Sequence, residues 1–135
     1  MISKKILIIS LLCAVIDLRS EVKSYAFSQP EEIVRAFMDG DAKAISNYFN
    51  TSVELIFSEN QGVYGKAQAE QILRNFFNNN ITPNRKFTYK PVHSSPNRDN
   101  AQYYIAELHT GKGSYRVTIF MKDQRIHQMR IESND

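Results

Sequence analysis

Glu107 and His109 are spaced for chemistry: two positions apart on a strand they share a face, where a carboxylate and an imidazole can work as an acid and base pair. Joined by His93 or His127, they would offer the nitrogen and oxygen ligands of a metal site. If the strands form simple hairpins, Glu107 lies opposite Val117 and His109 opposite Tyr115. His93 then lies opposite Gln102, and His127 opposite Phe120 on the other face. Ligands so scattered do not converge on one ion, so the reading is no metal and no cofactor. Gly111-Lys112-Gly113 has the composition of a phosphate loop, but it joins two strands and precedes no helix, so the backbone N–H array is missing and the segment reads as a hairpin turn. Arg85, Lys86 and Lys90 are interleaved with Phe87 and Tyr89, as on a solvated strand face rather than a phosphate-binding one, which argues against nucleic acid.

The remaining reactive type, the single cysteine Cys13, sits within the uncharged apolar run Ile6 to Ile16, directly after Lys4 and Lys5. That order is the grammar of a signal peptide. The run covers only about 16 Å as a helix, short of the ~30 Å needed to cross a bilayer, so no transmembrane span is expected in the mature chain. Small residues at Ser24 and Ala26 around Tyr25 predict cleavage after Ala26, giving a signal peptide over 1–26 and a mature domain over 27–135. Leu12 stands where a lipidated Cys13 would need a small neighbour, so a lipid anchor is disfavoured and the product is expected to be periplasmic or extracellular. The full chain of 135 residues carries a net charge of +3. The mature part keeps thirteen Lys and Arg against twelve Asp and Glu, a net +1, and has no cysteine for a disulfide or a nucleophilic thiol.

Positioning these groups falls to one domain of mixed elements. Ser28-Gln29-Pro30-Glu31 reads as a capping box opening a helix whose stripe is Ile33, Val34, Phe37 and Met38, with Gly40 as its stop. Asp41 caps a short second helix that buries Ile45, Tyr48 and Phe49. Strands are expected over 52–57 and 63–65, followed by a helix over 66–78 built on Ala69, Ile72, Leu73, Phe76 and Phe77. Four strands complete the chain, over 85–93, 101–110, 114–122 and 125–132. The order ααββαββββ indicates an α+β fold, with helices on one face of a bent, mostly antiparallel sheet.

Phe37-Met38-Asp39-Gly40-Asp41, Tyr64-Gly65-Lys66, Tyr115-Arg116-Val117 and Met129-Arg130-Ile131-Glu132, set in that element order, resemble the nuclear-transport-factor-two-like (cystatin-like) superfamily. Within it the chain is similar to a small secreted bacterial family catalogued as domain of unknown function 4783. The resemblance implies a cone-shaped fold whose curved sheet wraps a long helix, often around an apolar pocket, and frequently a dimer through the sheet. The steroid-isomerase-like branch uses a pocket carboxylate with a Tyr, for which Glu54 is the nearest match here. Alternation puts Glu54 opposite Val53, Leu55 and Phe57, hence facing away from the helices.

Two non-catalytic roles are therefore expected. Phe37, Tyr48, Phe49, Phe57, Tyr64, Tyr89, Tyr104 and Phe120 are candidates to line a pocket for a small apolar ligand, against the alternative of a filled aromatic core. In the simple hairpin register Tyr103, Ile105, Tyr115, Val117 and Ile119 form a second apolar sheet face beyond the reach of the helices, which predicts a homodimer. A β-bulge would shift that alternation. The expectation is an exported binding module for a small apolar ligand or an envelope protein. The catalytic alternative is a small isomerase or hydrolase using Glu54 or Glu107 with a Tyr.

Overall fold

The computed structural model describes residues 29–135, so the signal peptide expected over 1–26 and the cap expected at Ser28 lie outside the described residues. The elements follow in the expected order: α1 (Glu31–Asp39), α2 (Ala42–Ser46), β1 (Phe49–Ile56), β2 (Gln61–Gly65), α3 (Lys66–Asn80), β3 (Thr88–Ser94), β4 (Ala101–His109), β5 (Ser114–Lys122) and β6 (Arg125–Ser133). The strands make one curved sheet in the order β2-β1-β6-β5-β4-β3, antiparallel except where β1 runs parallel to β6.

At the start of α1 Pro30 is the N-cap, and it has no side-chain group to cap the first turn. The Glu31 carboxylate, the described half of the expected capping box, accepts from Arg35 one turn on, at 2.9 Å. Ile33, Ala36 and Phe37 are buried, whereas Met38, about 100° further round the helix, is 47% exposed. The stop is as expected. Gly40 takes φ 63°, Asp41 N–H donates to the Ala36 carbonyl and Gly40 N–H to that of Phe37, and a Cβ on Gly40 would stand 2.6 Å from the Phe87 ring. Asp41 then accepts from Ala44 N–H at 3.0 Å to start α2.

α3 runs two residues past its expected end. Asn80, whose type reads as a helix breaker, is 6% exposed and tied down: its amide donates to the Phe76 carbonyl, and its oxygen accepts from Tyr115 and Thr110. Those bonds hold the end of the helix to the β4–β5 hairpin, and tertiary hydrogen bonding overrides the local preference. Ala69, Leu73 and Phe77 face the sheet. Phe77 meets Phe37 edge-on with ring centroids 5.8 Å apart, and Phe37 stacks on Tyr89 at 4.4 Å.

The largest departure from the sequence reading is strand register. The β4–β5 pairing sets Glu107 opposite Arg116 and His109 opposite Ser114, one residue from the simple hairpin count. Thr110 causes the offset. Its buried hydroxyl accepts from the N–H groups of Lys112 and Gly113, while its own N–H donates to the Gly113 carbonyl, so the strands close at Thr110 and Gly113. Gly111 is required here because a Cβ would fall 2.1 Å from Thr82 Oγ1. In β6, His127 is an extra residue: Met121 faces Ile126 but Phe120 faces Gln128, a bulge that replaces the expected Phe120 to His127 pairing. A second irregularity in β3 brings His93 opposite Ile105 instead of Gln102.

The offset and the β6 bulge collect the apolar residues on one face. Val117 and Ile119 are fully buried and lie opposite Ala106 and Tyr104 on one side and Ile131 and Met129 on the other. Tyr115 packs against the same core, its ring 5.1 Å from that of Phe76. These three are not part of an outer patch. Phe120 moves the opposite way, from the expected inner face to the outer one, where it lies 4.6 Å from Tyr103. Lys90, Glu107, Arg116 and Glu132 are successive cross-strand neighbours on that outer face, a row of alternating charge suited to solvent.

Candidate functional site

The two hairpin tips beside the start of α1 share a stereochemistry that shapes an open pocket. Asp99 and Asn100 both have positive φ, as do Asp123 and Gln124, so each pair forms a tight turn of the kind Asn and Asp tolerate. Asp123 N–H donates to the Asn100 carbonyl at 2.9 Å and holds the tips together. Pro30 and Tyr48 face them across an open pocket of about 590 Å³, whose lining also includes Asn97, Gln102, Tyr104 and Met121.

Its polar groups are fixed by their neighbours. Tyr104 donates to Gln102 Oε1 at 2.7 Å, and Gln102 Nε2 donates to the Ser95 carbonyl at 2.8 Å. Tyr48 donates to the Glu32 carboxylate. That hydrogen bond, then burial and the carboxylate's charge, push the Tyr48 hydroxyl above its usual pKa. Burial alone raises Tyr104. Both phenols therefore stay neutral at ordinary pH. The amides of Asn97, Asn100, Gln102 and Gln124 carry no charge either, and Asp123 is the one carboxylate in the lining. Such a lining offers hydrogen bonds and apolar contact.

Of the eight aromatic candidates, Tyr48 and Tyr104 line this pocket. Phe37, Phe49, Phe57 and Tyr89 are packed in the core, and Tyr64 is half-buried against it from β2. Phe57 also edges a cleft of about 200 Å³ beside Phe76 and Tyr115. The Tyr89 hydroxyl lies 2.8 Å from Gln29 Nε2 and 3.0 Å from Gln29 Oε1, and burial drives its pKa strongly up. Glu54 is on the outer face, accepting from Gln128 at 3.2 Å, as its alternation predicts. Glu107 and His109 do meet, with Nε2 3.7 Å from the carboxylate, but on a half-exposed outer surface. Neither glutamate lines the open pocket. Among the described residues no three His, Cys, Asp or Glu side chains gather as a metal site.

In the sequence Asn97, Asn100, Asp123 and Gln124 fall only in the breaks between expected strands, and Gln102 figures only as the residue opposite His93. Only the pairing of the tips turns those turn-formers into a pocket rim. Two adjacent positions per turn needing positive φ were the available signal.

This architecture, with a helical layer on the concave face of a curved mixed sheet and a pocket at one open end, defines an α+β protein of the nuclear-transport-factor-two-like, or cystatin-like, class. The fold matches a domain of unknown function with a cystatin-like fold from Nostoc punctiforme, with a TM-score of 0.60 at 9% identity over 78% of this chain and 72% of that one. It also matches a protein of unknown function with this class's fold from Cytophaga hutchinsonii, at 0.53, 10% identity, and 77% and 85% coverage. Within the class the chain belongs to the family described as Domain of unknown function (DUF4783), whose model matches residues 30–132. A crystal structure of a member of that family from Bacteroides uniformis is similar at a TM-score of 0.69 and 27% identity, over 80% of this chain and 99% of that one. No curated protein matches the sequence.

Proposed function

We propose that this chain is an exported, non-catalytic binding domain whose open pocket takes a small ligand with an apolar body and neutral hydrogen-bonding groups. The observation that carries the reading is the lining itself, where the side chains of Pro30, Tyr48, Tyr104 and Met121 meet the amides of Asn97, Asn100, Gln102 and Gln124, with Asp123 as its one charged group. Export is supported by Lys4-Lys5, the apolar run Ile6 to Ile16 and the small residues before Phe27. The periplasm or the exterior is the destination proposed.

Ligand-observed NMR of the purified protein with a pooled set of neutral metabolites tests the pocket. Saturation transfer to at least one compound, abolished by Asn97→Trp at the exposed rim, is the expected result. Absence of transfer to every compound tested would remove the reading. An isomerase or hydrolase built on Glu54 or Glu107 has less support, because both stand across the sheet from the pocket tyrosines. A homodimer through the sheet is left with Tyr103, 46% exposed, together with Phe120 and Ile105. Light scattering that shows a dimer at micromolar concentration, split by Tyr103→Lys, would establish that contact, and monomer alone would exclude it.

A further inference from the structure

Two sequence features that carry nothing separately are brought together at the far end of the β4–β5 hairpin, roughly 20 Å along the strands from the open pocket. The segment before β3 supplies Arg85 and Lys86, and the hairpin turn supplies Lys112 between two glycines. With Thr88, His109 and Ser114 they line a groove of about 570 Å³. No Asp or Glu is among its lining residues. None of the three cations makes an ion pair among the described residues, although Arg35, Arg74 and Arg130 each hold a glutamate elsewhere on the surface. In a mature chain with a net charge of only +1, this is a local concentration of unpaired positive charge.

We propose that this groove binds the phosphate or sulfate ester of a small molecule. Arg85 suits such an oxyanion through its planar fork, and Lys86 and Lys112 as mobile point charges. Ser114 adds a hydroxyl positioned by His109 Nδ1 at 2.7 Å. The turn's backbone contributes little, since the N–H groups of Lys112 and Gly113 already donate to Thr110. Recognition is by side chains, which is why the glycine-rich turn alone does not show a phosphate loop in sequence. Glu107 is not part of the lining, but its carboxylate lies 3.7 Å from Nε2 of His109, which is.

Amide chemical shifts of the purified protein, followed during titration with inorganic phosphate, sulfate, glucose 6-phosphate, glucose 6-sulfate and acetate, test the proposal. The expected result is saturable shifts at Gly111, Lys112, Gly113 and Ser114 with the four tetrahedral anions and none with acetate. Tighter binding of the two sugar esters would mark an ester site, and equal binding of the inorganic ions a site for free anion, which would overturn the assignment to esters. Lys112→Gln and Arg85→Gln, both exposed and so harmless to the fold, should each weaken binding about tenfold, the effect of losing one charge-assisted hydrogen bond. Uniform small shifts over the whole surface, or variants that bind like the parent, would refute the site.

Discussion

The two faces of the sheet are built from the same strands and differ in almost everything else. On the concave face Tyr104, Ala106, Leu108, Val117, Ile119, Met129 and Ile131 are buried beneath α1 and α3. On the convex face the same strands present Lys90, Glu107, Arg116 and Glu132 in a charge-alternating row, with Tyr103, Phe120 and Ile105 as its apolar part. Apolar content does not separate the faces, because the four C-terminal strands hold enough apolar residues to fill both under a simple alternation. What separates them is an offset of one residue at Thr110 and one extra residue at His127. A sheet face is thus set by where the register is pinned.

The sharpest test of that contrast is a pair of truncations one register step apart. Ile119→Ala should cost about 2–5 kcal/mol in urea unfolding because it leaves a cavity in a closed core, whereas Ile105→Ala on the half-exposed outer face should cost less than about 1.5 kcal/mol. Equal costs would show that the faces are assigned wrongly.

Next comes the residue that sets the offset. Thr110→Ala leaves two turn N–H groups without their acceptor and removes one of the two donors to the Asn80 oxygen, which keeps Tyr115, and should cost about 1–3 kcal/mol. Thr110→Ser, which keeps the hydroxyl, should recover most of it. A similar loss in both variants would point to packing and not to the hydroxyl.

Alkaline titration probes the concave face from another side. Tyr89, Tyr104 and Tyr48 all have pKa values raised above the usual 10, so the folded protein holds their protons where the unfolded chain releases them. Stability is therefore full below pH 10 and falls as the pH rises beyond it. Tyr89→Phe should flatten that fall, at the expense of stranding Gln29 at neutral pH, and a pH profile unchanged in the variant would assign the alkaline loss to other groups.

The smallest effect is expected on the convex face. Arg116→Gln interrupts the charged row between Glu107 and Glu132 and should change stability by no more than about 1 kcal/mol, less in high salt. A larger loss would mean that this face is covered in the native assembly.

Much of the architecture was already written in local sequence. Gly40 and Asp41 set the break between the first two helices, Lys66 onward carried a helical stripe, and Asp123-Gln124 marked a tight hairpin. These depend on neighbours within a few residues, so the element order and the α+β class follow from the chain read linearly. Asn80, Thr110 and His127 act otherwise. Asn80 continues a helix because Tyr115, 35 residues away, donates to it, and Thr110 shifts a register through a hydroxyl that nothing in the alternation reveals. The open pocket needed two hairpin tips laid side by side, and the cationic groove needed a turn at Lys112 brought against Arg85 and Lys86. Local sequence determined the kind and order of the elements, because caps and periodicity act over a few residues, but not all their bounds. Tyr48 and Phe49, expected on the second helix, lie beyond it with Phe49 opening β1, and Arg85 to Phe87, expected in a strand, precede β3. The tertiary structure decided which face is core and where the sites lie, because register and convergence depend on contacts between residues far apart in the chain.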